Sequence, residues 1–173
     1  MENLIIYSST DGQTKKICET IKAHLSLNNK YKIISLNEAL NSNLEKCEKI
    51  IIGASIRYGR HNRNVLDFVI NNKNILNSKK TAFFSVNVVA RKEEKGTPET
   101  NPYVIKFLKK ANWKPSMTSV FAGKVDYPNY NFINKNVIRF IMKITKGPTD
   151  INNSYEFTNW ENVEKFAKEV ENL

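Results

Sequence analysis

Cysteine and histidine are scarce in this 173-residue chain, and acidic side chains are outnumbered. The two cysteines, Cys18 and Cys47, stand far apart without metal-ligand spacing. That usage argues against a disulfide framework and fits reduced thiols in a reducing, cytoplasmic compartment. Cys18 falls on the apolar side of an expected helix, the place of a buried thiol. Two histidines, His24 and His61, are too few for a metal site. No apolar run approaches the roughly 20 residues that span a bilayer, and Met1 leads straight into an expected strand. Neither a spanning helix nor a signal peptide is therefore expected. The common nucleotide signatures are missing too. No strand precedes a G-x-G-x-x-G, and G-x-x-x-x-G-K-[ST] does not occur, which disfavours the usual dinucleotide fold and phosphate-loop NTPases. A receiver domain would need an acidic cluster where this chain carries Ser, Thr and Ala, with only Asp11 nearby.

What is present is basic and ordered. Twenty-seven Lys and Arg against seventeen Asp and Glu leave a net charge of +10. The surplus favours an acidic partner: nucleic acid, anionic lipid or a small molecule bearing carboxylates. No nucleic-acid motif accompanies it, so nucleic acid ranks last and no such partner is expected. Forty per cent hydrophobic residues suit a folded protein, and the length suits one domain over 1–173.

Hydrophobic periodicity alternates along the chain. Strands are expected at 3–8, 31–36, 49–55, 80–87 and 117–124, and helices near 13–28, 62–76, 101–112 and 159–172. The stretch 37–46 reads as loop or short helix. Asn101-Pro102 supplies an N-cap followed by proline, and Thr158 to Glu161 reads as a capping box. Alternation of this kind means an α/β fold: a doubly wound, five-stranded parallel sheet with helices on both faces. Ligands in such sheets bind beyond the carboxyl ends of the strands.

Three loops follow strands on that edge. The first, Ser8-Ser9-Thr10-Asp11-Gly12-Gln13-Thr14, offers hydroxyls and the start of a helix to a phosphate, though an ordinary helix cap would look similar. The second, Ala54-Ser55-Ile56-Arg57-Tyr58-Gly59, lies between Gly53 and Arg60. Its glycines would admit a flat ligand, and Tyr58 would stack on one face of that ligand. The third, Ser85-Val86-Asn87-Val88-Val89-Ala90-Arg91, brings amides and Asn87 to the polar edge of a heterocycle. Each alone reads equally as a connection. Together they leave flavin mononucleotide (FMN) as the surviving candidate cofactor, with its phosphate in the first loop and its ring between the others.

The opening loop resembles the phosphate loop of flavodoxins. The strings 52–59, 84–92, 97–101, 113–115 and 141–143 resemble the bacterial quinone-dependent (oxygen-independent) protoporphyrinogen oxidases, which are flavodoxin-like, over essentially the whole chain. That resemblance implies FMN contacts at 8–14, 54–59 and 85–91. It also implies oxidation of protoporphyrinogen to protoporphyrin in haem synthesis, with electrons passed to menaquinone or another quinone. No catalytic side chain carries over. Arg57 and Arg91 are the candidate charge stabilisers, for reduced flavin or for the substrate's propionates, if their loops frame the ring.

Residues 125–150 form an insertion after the fifth strand. Within it a helix over Asn134–Thr145 would carry Lys135, Arg139 and Lys143 at every fourth residue, then Lys146, beside a wide apolar surface. Such a helix suits an anionic membrane, at the inner face of the cell membrane where a quinone is met, or packing on its own domain. Gly147-Pro148 would stop it. The rival functions are a flavodoxin-type electron carrier, usually acidic where this chain is basic, and an FMN-dependent quinone reductase. A third is an anion or nucleic-acid binder without flavin.

Overall fold

Five parallel strands form the described sheet in the computed structural model, which describes residues 2–25 and 30–173. They are β1 (Glu2–Ser8), β2 (Tyr31–Ser35), β3 (Cys47–Arg57), β5 (Lys80–Val86) and β6 (Met117–Phe121), in the order β2-β1-β3-β5-β6. A two-residue strand β4 (Arg60–His61) folds back antiparallel on β3. The expected doubly wound parallel sheet is what the chain forms.

Strand periodicity of two sends alternate side chains to opposite faces. Leu4, Ile6, Ile50, Ile52 and Phe83 face one core with Val65 and Phe68 of α3 (Arg63–Asn71), Leu76 of α4 (Lys73–Asn77) and Val104 and Phe107 of α5 (Pro102–Ala111). Ile5, Ile51 and Phe84 face the other with α1 (Gln13–His24) and α7 (Trp160–Glu171). Both faces are covered, so the strands read as continuous apolar runs. Cys18 and Cys47 are both buried in these cores, and burial pushes the Cys18 thiol upward.

Several expected boundaries move. Helix α1 ends at His24, because Leu25 is extended; the expected residues 26–28 lie outside the described residues. The helix expected over 62–76 is two, broken at Asn72, whose amide Nδ2 donates to the Phe68 carbonyl at 2.9 Å. The ambiguous 37–46 holds α2 (Leu36–Ala39), capped by a Ser35–Glu38 box, and a 3-10 turn at Leu44–Lys46. Asn101 caps α5 as expected, but Asn159, not Thr158, caps α7 by accepting from the Asn162 N–H. Thr158 instead donates to the Ala122 carbonyl at 2.8 Å.

The fifth strand also stops early, at Phe121. After Ala122 and Gly123, Lys124–Asp126 (β7) pairs antiparallel with Ser154–Glu156 (β8), which brackets the insertion. Inside it, α6 spans Phe132–Ile144. Thr145 is its C-cap and Lys146, at φ 56°, the left-handed residue after it, while the Gly147 N–H returns to the Met142 carbonyl at 2.7 Å. Gly147 is small for packing: a Cβ there would meet Met142 Cε at 2.2 Å.

Candidate functional site

The first, second and third loops meet where β1, β3 and β5 end, and they enclose two connected pockets of about 40 and 110 Å³. The smaller lies on the first loop. Gly12, at φ 83°, turns the chain into α1, and among the described residues no side chain caps that helix start. Its N–H groups and positive dipole end are thereby left to a ligand. Ser9 Oγ and Thr14 Oγ1 point here, both buried and without a hydrogen-bond partner among the described residues. A buried hydroxyl left unpaired costs about 1–3 kcal/mol, so the arrangement suits an anion that accepts from both. Gln13 differs from expectation. Its side chain is engaged within the protein, donating to Glu156 Oε1 at 3.2 Å and Thr158 Oγ1 at 2.8 Å.

The larger pocket lies between the second and third loops. Tyr58 (φ 50°) and Gly59 (φ 78°) are both left-handed and form the two-residue turn of the β3–β4 hairpin. Tyrosine in that conformation costs roughly 1–2 kcal/mol, the kind of strain that persists at binding sites. Tyr58 is 52% exposed and its hydroxyl bonds Asn134 Oδ1 on α6. Gly53, by contrast, serves the core: a Cβ there would sit 2.1 Å from the Phe84 ring.

On the third loop, Asn87 Oδ1 accepts from the Ala90 N–H at 3.0 Å, and Asn87 Nδ2 donates to Ser85 Oγ at 3.1 Å. His61 Nε2 also bonds Ser85 Oγ, at 2.9 Å, and burial lowers the His61 pKa to about 4. The neutral imidazole thus ties β4 to β5.

The two arginines part company. Arg57 lines the larger pocket and pairs with Asp11 Oδ2 at 2.7 Å. Partial burial works against its charge, but Asp11, Tyr130 and Tyr58 outweigh that and raise its pKa. Arg91 is turned elsewhere. Its guanidinium donates to the Val88 carbonyl at 2.9 Å and to the Thr145 carbonyl at 2.8 Å, fastening the third loop to the end of α6. Burial lowers its pKa. Ala54 is buried in the core, and Ser85 is held by His61 and Asn87. Ser8, Gly12 and Ala90 shape the backbone but do not line the pockets.

Residues 4–152 match the family model described as a flavodoxin domain. This chain belongs to the flavodoxin-domain family. It is 38% identical over 174 residues to Protoporphyrinogen IX dehydrogenase [quinone] of Escherichia coli strain K12, covering 100% of this chain and 96% of that protein. Against the Leishmania major protein of the same name it is 40% identical over 168 residues, 96% of this chain and 73% of that one. By that likeness it falls within the quinone-linked protoporphyrinogen dehydrogenase branch. Solved flavodoxins share the fold alone. A short-chain flavodoxin associated with a bacterial microcompartment superposes with a TM-score of 0.56 at 14% identity, over 98% of this chain and 96% of that one. Bacillus cereus Flavodoxin 1 gives 0.52 at 16%, over 98% and 97%.

The site has a roof that the three loops do not contain. Tyr130, Ile138, Ile141 and Met142 of the insertion, Tyr103 of α5 and Lys124 of β7 all line the larger pocket. The Tyr127-Pro-Asn-Tyr run was the available signal: an aromatic pair in an insertion that the sheet does not need.

Proposed function

We propose that this chain binds FMN and oxidises protoporphyrinogen IX to protoporphyrin IX, passing electrons to a quinone such as menaquinone on the route to haem. One observation carries it: two orphaned buried hydroxyls, Ser9 Oγ and Thr14 Oγ1, at an uncapped helix start. They stand in a chain 38% identical over 174 residues to a quinone-linked dehydrogenase. FMN supplies two-electron redox chemistry at its ring, and the porphyrin is reached by three successive removals of an electron pair.

The protein's part is to bind, orient and shield. Ser9, Thr10 and Thr14 with the amides of α1 hold the phosphate. Tyr58 and Val88 line the pocket that would take the ring, and Asn87, bonded to Ser85 and Ala90, fixes the shape of the third loop beside it. Arg57 sets a cation beside it, and Tyr130 and Met142 of the insertion exclude water from above.

The insertion also supports a place of work. Phe132, Ile133, Phe140 and Ile144 on α6 are 82, 70, 65 and 66% exposed. Lys135, Arg139 and Lys143 flank that apolar face, with Lys146 just beyond. An exposed apolar face beside a basic stripe fits an anionic membrane surface at the inner face of the cell membrane, where a lipid-soluble quinone is met. Among the described residues no helix is long and apolar enough to cross a membrane, so contact would be peripheral.

The test is anaerobic mixing of FMN-loaded protein with protoporphyrinogen IX and a menaquinone analogue. Fluorescent porphyrin formed in proportion to quinone reduced is the expected result. Flavin reduction by a carrier protein or by NAD(P)H, with no porphyrin, would move the assignment to an electron carrier or a quinone reductase.

A further inference from the structure

A groove of about 450 Å³ runs between α3 and α5, outside the pockets assigned to the cofactor. It adjoins the larger of them, with Gly59 and Tyr103 lining both. One wall is apolar, made by Leu66, Ile70 and Phe107, and Ile70 is 45% exposed there. The rim carries four cations, Arg60, Arg63, Lys106 and Lys110, against one carboxylate, Asp67. Arg63 pairs with Asp67 at 3.5 Å. Arg60, Lys106 and Lys110 have no carboxylate partner within ion-pair distance among the described residues.

The floor adds no charge. His61 is buried there, neutral above a pKa of about 4, with its ring centroid 4.8 Å from that of Phe107. A groove with an apolar wall, an uncharged floor and unpaired cations at its mouth selects an apolar ring that bears acidic groups on one edge. An apolar quinone would make no use of the cations.

We infer that this groove seats the carboxylate-bearing edge of the tetrapyrrole, an inference that rests on the function proposed above. The propionate arms reach Arg60, Lys106 and Lys110. The ring lies on Leu66 and Ile70, and its far side passes Tyr103 and Gly59 toward the redox pocket. Arginine can grip a carboxylate with two parallel N–H donors, while the two lysines, one helical turn apart on α5, act as mobile point charges. The apolar wall supplies ring affinity and the cations supply orientation, so neutralising them acts on binding and leaves the chemical step alone.

The experiment uses FMN-loaded protein and a Lys106→Gln/Lys110→Gln variant, with Lys109→Gln on the same helix as control. Binding of protoporphyrin IX and of its dimethyl ester is followed by fluorescence, and turnover of protoporphyrinogen IX by porphyrin emission. For the native protein the diacid should bind roughly tenfold more tightly than the ester, as expected for a few exposed charge pairs. In the double variant that discrimination disappears and KM rises by a similar factor, while kcat, flavin content and the Lys109→Gln control stay as in the native protein. Native turnover with unchanged KM and unchanged diacid preference in the double variant overturns the groove and leaves the proposed function standing. Absence of porphyrin from native protein given flavin and quinone overturns both.

Discussion

Arg57 Nη1 lies 2.7 Å from Asp11 Oδ2, closing the second loop onto the first across 46 residues of sequence. Tyr130 of the insertion donates to the same carboxylate oxygen at 3.1 Å, and the Arg57 guanidinium stands 5.0 Å from the Tyr130 ring and 5.4 Å from the Tyr58 ring. One ion pair therefore joins the phosphate loop, the ring loop and the roof. Its side chains are 21 and 29% exposed, so its contribution to stability is modest and its value lies in placement.

Replacing Arg57 with alanine should cost less than about 1 kcal/mol of folding stability. It should lower the two-electron potential of the bound flavin by roughly 30 mV, the equivalent of about 1.4 kcal/mol of lost charge stabilisation. Arg91→Ala should do the reverse. It should leave the potential unchanged and lower stability by about 1–3 kcal/mol, because its bonds to the Val88 and Thr145 carbonyls are structural. Spectroelectrochemistry and urea unfolding separate the two, and a potential shift in Arg91→Ala would contradict the geometry.

Thr14→Val should stabilise the flavin-free protein, or leave it unchanged, because the hydroxyl it removes is buried and unpaired. The same change should weaken FMN binding by about tenfold or more, since a hydrogen bond to a charged acceptor contributes about 1.5–3 kcal/mol. Thermal unfolding with and without FMN measures both. A fall in apoprotein stability would mean the hydroxyl already has a structural role.

Acid should destabilise the fold through His61. Burial depresses its pKa from 6.5 to about 4, so between those values the unfolded chain binds a proton that the folded protein refuses. The stability is fully present above pH 6.5 and falls as pH drops toward 4. At pH 4.5 the loss should be about 2–3 kcal/mol relative to pH 7. Urea unfolding of His61→Gln at the two pH values should show that part of the slope removed. An identical slope in the variant would place the acid sensitivity elsewhere.

Phe140→Ser with Ile144→Ser should abolish sedimentation with phosphatidylglycerol vesicles and leave the melting temperature nearly unchanged, because both side chains already face water. Neutral phosphatidylcholine vesicles should bind the native protein weakly, as expected if Lys135, Arg139, Lys143 and Lys146 contribute about 1 kcal/mol each at an anionic surface. A marked fall in melting temperature would instead show the apolar face packed against protein.

Local pattern carried the architecture. The runs from Leu4 to Ile6, Ile50 to Ile52 and Ala82 to Phe84 set strands of period two, and Asn101-Pro102 set a helix start, because such preferences act between residues a few positions apart. The hydroxyl loop before α1 was legible for the same reason. Long side chains were decided by partners that only the folded chain supplies. Gln13 turns to Glu156 and Thr158, 143 and 145 residues away, and Arg91 turns to Thr145, 54 away. Gly53 answers to the Phe84 ring on the neighbouring strand, and the roof of the pocket comes from an insertion whose packing no periodicity encodes. Sequence by itself determined which elements form and in what order. Tertiary structure determined where the charged and aromatic tips point, because a flexible side chain takes its direction from the distant group that pairs with it.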